Sequence, residues 1–129
     1  SFSVQDLSAT NYPDGHFAAV TSISVIEHGV DLDAYLREMA RVIRPGGWLL
    51  TSTDYWSEPI DCSGIFPYGE DQPEMKVFQP HEIEGLCKRA EEVGFRLVTP
   101  LGLTTHERAV RWERVDREYT FIYFALRRD

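Results

Sequence analysis

The sequence has little that would place the chain in a membrane or around a metal ion. Among its 129 residues, no apolar run approaches the roughly 18 residues that a membrane-spanning helix requires. No internal repeat or low-complexity segment occurs. The only two cysteines, Cys62 and Cys87, have no spacing typical of zinc ligands. We therefore expect one globular domain without a metal site, in a reducing, cytoplasmic setting.

Positive charge is also scarce. The chain has 13 Lys and Arg residues against 21 Asp and Glu residues, a formal net charge of −8 and a pI near 4.9. The four arginines between positions 108 and 117 are interleaved with acidic residues, so they form a mixed surface rather than a basic patch. Because an acidic surface repels phosphate backbones and anionic lipids, we predict neither nucleic acid nor a membrane as a partner.

The first half of the chain has the pattern of a strand–helix–strand unit. Residues 17–23 are small or apolar without strict alternation, which is typical of a strand buried on both faces. An apolar stripe at helical spacing follows from Leu32 to Ile43. The segment 45–47, Pro-Gly-Gly, is predicted to stop this helix, and residues 48–53 form the second strand.

The second half is less regular. Residues 55–79 contain scattered prolines, glycines and aromatics with no period, which predicts a long functional loop. A second helix is expected from Pro80 to about Val93, with strands at 95–101 and 118–126. Residues 103–117 fit a short helix or an irregular excursion. The apolar run 121–126 predicts a central strand covered on both faces.

Three motifs together carry a family resemblance. They are DGHFAAV at 14–20, SVIEH at 24–28 and RVIRPGG at 41–47. The chain resembles the central and C-terminal part of a class I S-adenosylmethionine-dependent methyltransferase, and more narrowly the type 11 small-molecule group. The resemblance implies an α/β fold with a Rossmann-like, mostly parallel seven-stranded sheet. In that fold the last strand is antiparallel and interior, between the strands that begin near Trp48 and Phe95.

The sequence also departs from that family. It contains no G-x-G, the motif whose backbone holds the cofactor's amino-acid end, and no match for the acidic residue that binds the ribose. We therefore expect residues 1–129 to form one partial domain, with the tail of an earlier strand at 2–4. S-adenosylmethionine is expected to bind the parent enzyme, and this chain weakly or not at all. The edge of strand 17–23 should pair with a second copy, giving a homodimer, or with residues 1–10.

The resemblance assigns five residues to the cofactor. Asp6 and Leu7 match the family's pair that contacts adenine, and we favour this role in the parent enzyme over the alternative that Asp6 only caps the turn before Ser8. Ser22, Ser24 and Ile26 lie where a parallel strand ends, and α/β sheets bind their ligands at that end.

Four further residues are candidates for chemistry or for substrate contact. His28 could act as a general base, because its unperturbed pKa lies near working pH, but the family's Glu-His pair is mostly structural. Asp54 could orient or deprotonate a nucleophile at the same end of the sheet. Tyr55 and Trp56 could stack on a substrate ring, or they could close the core under the loop.

Two functions remain open at this point. In the first, the chain is part of a methyltransferase whose acceptor is a small molecule or a glycan, and it is inactive on its own. In the second, the chain is a non-catalytic α/β module for interaction or oligomerisation.

Overall fold

The computed structural model describes all 129 residues, which form five strands and two α-helices. In chain order they are β1 (Phe17–Ile23), α1 (Leu32–Val42), β2 (Ile43–Tyr55), α2 (Pro80–Glu92), β3 (Phe95–Leu97), β4 (Val110–Trp112) and β5 (Arg117–Arg128). A 3₁₀ turn, Glu113–Val115, joins β4 to β5. The uncertain segment 103–117 therefore ends in a short strand and a turn that form a hairpin with β5.

The strands form one mixed sheet in the order β1-β2-β5-β3, with β4 paired to the beginning of β5. β5 lies between β2 and β3 and runs antiparallel to both, as expected for the last strand. Only β1 and β2 pair in parallel. Seven strands and a mostly parallel arrangement are thus not confirmed: there are five strands, and the reversed β5 makes its pairings antiparallel.

Both helices begin where their sequences predict. Asp31 caps α1, since its Oδ1 accepts hydrogen bonds from the backbone N–H groups of Asp33 and Ala34 at 3.1 and 3.0 Å. Pro80 is the first residue of α2, and the Glu82 carboxylate accepts a hydrogen bond at 2.9 Å from the backbone N–H of Gln79, the residue before the helix. Beyond α2 comes Gly94, with φ +97°, a value that favours glycine after a helix end.

The segment Pro-Gly-Gly does not separate α1 from the second strand as predicted. β2 already begins at Ile43, and the segment forms an irregularity inside it, where β2 carries three more residues than β1 between paired positions. A Cβ at Gly47 would lie 2.8 Å from the carbonyl oxygen of Ala18. The glycine therefore permits the close approach of β1 to β2 at this irregularity.

One face of the sheet packs against both helices. Eighteen buried residues form this core, including Leu36 and Met39 of α1 and Ile83 and Leu86 of α2. From the sheet, alternate residues of β2 and β5 point into it, among them Leu49, Thr51, Thr53, Ile122, Phe124 and Leu126.

The opposite face is largely open, so the prediction that residues 121–126 are covered on both sides is wrong. Phe121 and Tyr123 are 51% and 63% exposed, and Ile23 of β1 is exposed as well. Only the end of this face near Trp56 is covered. There a cluster of four buried residues packs under the long loop: Trp56, Met75, Val77 and Tyr119.

The N-terminal segment is tied to α1 by one carboxylate and one guanidinium. Glu38 accepts hydrogen bonds from the backbone and hydroxyl of Thr10 and from Arg41. Arg41 in turn donates to the carbonyl of Tyr12 and to the carboxylate of Asp14. These bonds hold the turn before β1 against the helix.

Residues 1–10 do not form the strand that was expected. Phe2 and Val4 are fully exposed, and no residue of this segment pairs with β1. Within one chain, β1 therefore has a neighbour only on the β2 side. Neither helix is long and apolar enough to cross a membrane.

Candidate active site

Two buried carboxyl groups lie where β1 and β2 end. Asp54 is the penultimate residue of β2 and is 7% exposed, while Glu27 follows β1 in a turn and is 2% exposed. The Glu27 Oε2 accepts a hydrogen bond from the Thr53 hydroxyl at 3.0 Å, but its Oε1 has no partner in the chain. A buried carboxylate oxygen without a donor is unusual, because the lost hydration is not replaced.

The carboxyl of Asp54 has a strongly raised pKa. Burial is the main cause that raises its pKa, and the neighbouring charge of Glu27 raises it further, to about 7. A hydrogen bond with Tyr119 acts in the opposite direction. The burial of Tyr119 and its contact with Asp54 raise the pKa of the phenol too. Asp54 therefore changes charge near neutral pH, which suits a group that takes or gives a proton.

The sequence did not single out Tyr119, and its place follows from the strand register. β5 pairs Thr120 with Tyr55 and Phe121 with Asp54, so Tyr119, the residue before Thr120, lies just beyond the end of β2. Side chains two residues apart on a strand point to the same face, so Tyr119 shares the face of Phe121 and of Asp54, which is paired with Phe121. An antiparallel pairing was predicted, but only its register identifies the residue that meets Asp54.

Aromatic side chains line the other wall of the site. The rings of His28 and Tyr68 meet edge to face at a centroid distance of 5.7 Å, and Tyr68 lies 6.2 Å from Trp112. These rings, the two carboxyls and Phe121 border an open cleft of about 330 Å³. That volume is in the range of small-molecule sites. We refer to this space as the carboxyl–aromatic cleft.

The basic side chains near the carboxyl–aromatic cleft are paired with other acids. Arg111 contacts Glu118 at 2.9 Å and Asp116 at 3.4 Å. Lys76 bonds to Glu82 at the start of α2. Neither cation forms a salt bridge with Glu27 or Asp54, and for this reason the negative charge of the cleft has no partner within the chain.

The structure places Tyr55 and Trp56 away from a substrate. Tyr55 is completely buried in the helix-covered core, and its hydroxyl donates to the carbonyl of Leu103 at 2.6 Å. Trp56 is buried in the small cluster, with the guanidinium of Arg108 over its ring. This burial favours the alternative that the two rings close the core under the loop over the prediction that they stack on a substrate.

The predicted cofactor residues lie in different surroundings. Asp6 is exposed, and its Oδ1 accepts from the backbone and hydroxyl of Ser8 at 2.8 and 2.6 Å, so it does cap the turn. Hydrogen bonds from Ser8 lower the pKa of Asp6. Leu7 is also exposed.

The three other predicted residues lie at the end of β1 and just after it, and only Ser24 lines the carboxyl–aromatic cleft. Ser22 is buried and its hydroxyl has no partner, while Ser24 is exposed with a left-handed φ of +51° and lines the cleft. Ile26 belongs to the helix-covered core. It also borders a larger cavity of about 610 Å³ between the beginnings of the two helices. No group of three or more His, Cys, Asp or Glu side chains could hold a metal ion.

Comparisons with known proteins find methyltransferases. The family profile described as "Methyltransferase domain" matches residues 1–51. The ubiquinone biosynthesis O-methyltransferase of Brucella anthropi is 27% identical over 121 residues, which are 86% of this chain and 47% of that protein. The 2-methyl-6-phytyl-1,4-hydroquinone methyltransferase of Synechocystis is 30% identical over 104 residues, 72% of this chain and 30% of that protein. The chain spans less than half the length of either relative.

A solved structure shares the fold. Geranyl diphosphate C-methyltransferase from Streptomyces coelicolor superposes with a TM-score of 0.70 at 15% identity, over 98% of this chain and 53% of that protein. It was crystallised with Mg²⁺, geranyl diphosphate and S-adenosyl-L-homocysteine. At this identity, the likeness establishes the α/β fold alone.

Proposed function

Because the chain belongs to the class I S-adenosylmethionine-dependent methyltransferases, we propose that it forms the acceptor-facing part of an enzyme that methylates a small molecule. The observation that carries the proposal is the buried pair Glu27 and Asp54 beside an open cleft at the strand ends. Small-molecule acceptors also appear in the relatives' names, which include a ubiquinone precursor pathway and a hydroquinone.

The family's cofactor is S-adenosylmethionine, and the residues of this chain fit it only in part. The Oδ2 of Asp6 makes no bond within the chain and is free to accept from adenine, with Leu7 exposed beside it. The hydroxyl of Ser22 is buried on the helix-covered side of β1, beside the Tyr35 hydroxyl, so it offers a ligand no open contact in this chain. No G-x-G cradle exists for the amino-acid end. When bound, the cofactor supplies a methyl group already activated on a sulfonium.

In this proposal Asp54 accepts the proton that the acceptor's nucleophilic atom loses. The carboxylate form is required, so activity should rise with pH through about 7, the pKa of Asp54. Glu27 contributes by raising that pKa and Tyr119 by orienting the carboxyl. Positioning supplies the rest, since an oriented acceptor needs little further assistance for a displacement at carbon.

His28 has a second proposed role in the same cleft. It is exposed and packs edge to face on Tyr68, so a substrate can reach its ring. Its backbone N–H donates to the carbonyl of Val25 at 3.1 Å, which fixes the turn that carries it. We assign it to acceptor contact, with Asp54 as the main base.

Methyl transfer from tritiated S-adenosylmethionine, at millimolar cofactor and with a panel of phenols, isoprenoid diphosphates and amines, tests the proposal. Any longer form of the protein that contains these residues should be assayed in parallel. Asp54→Asn should reduce turnover by 10²-fold or more. Glu92→Gln, an exposed acid at the end of α2, removes the same charge and should leave turnover unchanged. Equal turnover in both variants would refute the role of Asp54, and no transfer by any form would favour a non-catalytic module.

We further propose that the 129-residue chain pairs with a second copy through the free edge of β1. The edge carries no charged side chain between Phe17 and Ile23, and such edges promote pairing. The two free thiols, Cys62 and Cys87, support a reducing cytoplasmic location in the same proposal. Light scattering of the chain tests the pairing, and a monomer at high concentration contradicts it.

A further inference from the structure

We propose that the carboxyl–aromatic cleft binds a small organic ammonium ion, so that the methyl acceptor is a compound that carries an amine. The assignment of this ion to the methyl acceptor rests on the proposed function, but the binding of the ion does not. Three features of the cleft carry the inference: its uncompensated acid pair, its aromatic wall and the pairing of Arg111 and Lys76 with other acids.

The acid pair calls for a cation. Glu27 and Asp54 are both nine-tenths buried or more, and the Oε1 of Glu27 has no hydrogen-bond donor in the chain. Like charges in a buried site repel and favour protonation, unless a positive group neutralises them. An organic ammonium provides the charge, and either its N–H groups or, in a quaternary ammonium alcohol such as choline, its hydroxyl can donate to this oxygen.

The aromatic wall favours an organic cation over a hydrated metal ion. His28, Tyr68 and Trp112 form a row of neighbouring rings, and Phe121 also borders the cleft. Ring faces attract ammonium groups and their methyl substituents through the ring quadrupole. A metal ion would need at least a third oxygen or nitrogen ligand, and no such cluster is present.

The chain's own cations do not already occupy this role. Arg111 borders the cleft, but its two terminal nitrogens face Glu118 and Asp116. Lys76 lies beside Glu27 and Asp54 in an adjoining crevice of about 10 Å³ and bonds to Glu82. Tyr119 meets Asp54 as a neutral phenol at neutral pH, because its pKa is raised.

NMR titration of the 129-residue chain at pH 8 tests the inference without any methyl transfer. The probes are choline and its neutral isostere, 3,3-dimethyl-1-butanol. We expect choline to shift the indole N–H signal of Trp112 and not that of Trp48, at the opposite end of β2. We expect it to bind at least tenfold more tightly than the alcohol. Equal affinities would overturn the inference, because the cleft would then select shape and not charge.

Matched variants locate the binding. Asp54→Asn and Tyr68→Leu should each weaken choline binding about tenfold, and Tyr68 is exposed enough that its replacement should not unfold the chain. Glu92→Gln should have no effect. Unchanged binding in the two cleft variants would place the ion elsewhere on the acidic surface and overturn the inference.

A competition experiment separates the acceptor's charge from the donor's. S-adenosylhomocysteine lacks the sulfonium of S-adenosylmethionine. If only S-adenosylmethionine displaces choline, the cleft holds the cation of the methyl donor, and the assignment to the acceptor is wrong. Simultaneous binding of choline and S-adenosylhomocysteine supports it. A failure of choline to bind, with methyl transfer to phenols intact, would refute the inference and leave the proposed function standing.

Discussion

The helix-covered face of the sheet and the opposite face bury different chemistry. The first contains eighteen buried residues, almost entirely apolar, drawn from both helices and three strands. The second has four buried residues at one end, and beside them the buried carboxyl of Asp54. Stability is therefore concentrated on one face, and the groups suited to binding and proton transfer are on the other or at the strand ends.

The buried carboxyls of Glu38 and Asp54 differ in the same way. Glu38, on α1, receives hydrogen bonds from Thr10 and Arg41, and the bond from Arg41 is the largest cause that lowers its pKa to about 2. Asp54 has no cation, and its pKa is raised to about 7. A carboxyl that its neighbours satisfy serves the fold, whereas one left without a cation is available to a ligand.

The largest expected effect is a difference in unfolding free energy between substitutions on opposite sides of β5. On β5, Leu126 is 1% exposed under the helices and Tyr123 is 63% exposed on the open face. Leu126→Ala should reduce the free energy of unfolding by about 2–5 kcal/mol through the lost burial and the cavity that remains. Tyr123→Ala should cost less than about 1 kcal/mol. Urea unfolding measures both.

A similar loss of unfolding free energy in Leu126→Ala and Tyr123→Ala would contradict the difference between the two faces. It would mean that the open face is covered in solution, for example by a second copy. Repeating the unfolding at several protein concentrations distinguishes this outcome, because a cover from another molecule makes stability depend on concentration.

Asp54→Asn should change how stability depends on pH. In the wild-type chain the folded pKa of about 7 exceeds the unfolded value, so the folded state binds more protons between pH 4 and 7 and loses stability as the pH rises through that window. The variant does not titrate there. Its stability relative to wild type should therefore increase by about 2 kcal/mol between pH 5 and pH 8. A constant difference in the midpoint of urea unfolding across this range would show that Asp54 is not perturbed.

Glu38, whose carboxylate is fully hydrogen-bonded, should affect the pH dependence of stability in the opposite direction to Asp54. Glu38→Ala leaves the donors of Thr10 and Arg41 without an acceptor and should destabilise the chain by about 1–2 kcal/mol. Because the pKa of Glu38 is lowered, its contribution is present above about pH 4.5 and disappears as the pH falls through 2. Glu92→Ala, at an exposed helical position, is the control in thermal unfolding at pH 7. Equal losses in the two variants would contradict a structural role for the Glu38–Arg41 bonds.

The sequence predicted the elements that local pattern determines and missed those that depend on pairing. The stripe from Leu32 and the start at Pro80 located both helices, since helical periodicity and capping are local. The three-residue strand β4 exists through its pairing with β5, and nothing in its own residues distinguishes it. The run 121–126 did not reveal its exposed side, because Phe121 and Tyr123 are as apolar as their buried neighbours.

The candidate site was predicted in part for the same reason. Asp54 and His28 follow predicted strands directly, and strand ends can be located from sequence. Tyr68 and Trp112 come from segments without a period, so only the folded chain brings them together. The sequence did not reveal that Tyr55 is buried. Alternation along β2 points its ring into the helix-covered core, whereas Asp54, one residue earlier, points to the cleft.

The smallest expected effect concerns the cofactor. The chain offers S-adenosylmethionine an adenine contact at Asp6 and Leu7, but no G-x-G turn and no match for the ribose-binding acid. Each absent group of hydrogen bonds is worth about 1–3 kcal/mol, enough together to move a micromolar ligand to the millimolar range. At about 1 mM ligand and a similar dissociation constant, binding would stabilise the folded chain by only about 0.4 kcal/mol. We therefore expect almost no shift in thermal unfolding, and no further change in Asp6→Asn. Calorimetric titration gives the direct value, and a low micromolar dissociation constant would mean that other residues of this chain hold the amino-acid end and the ribose.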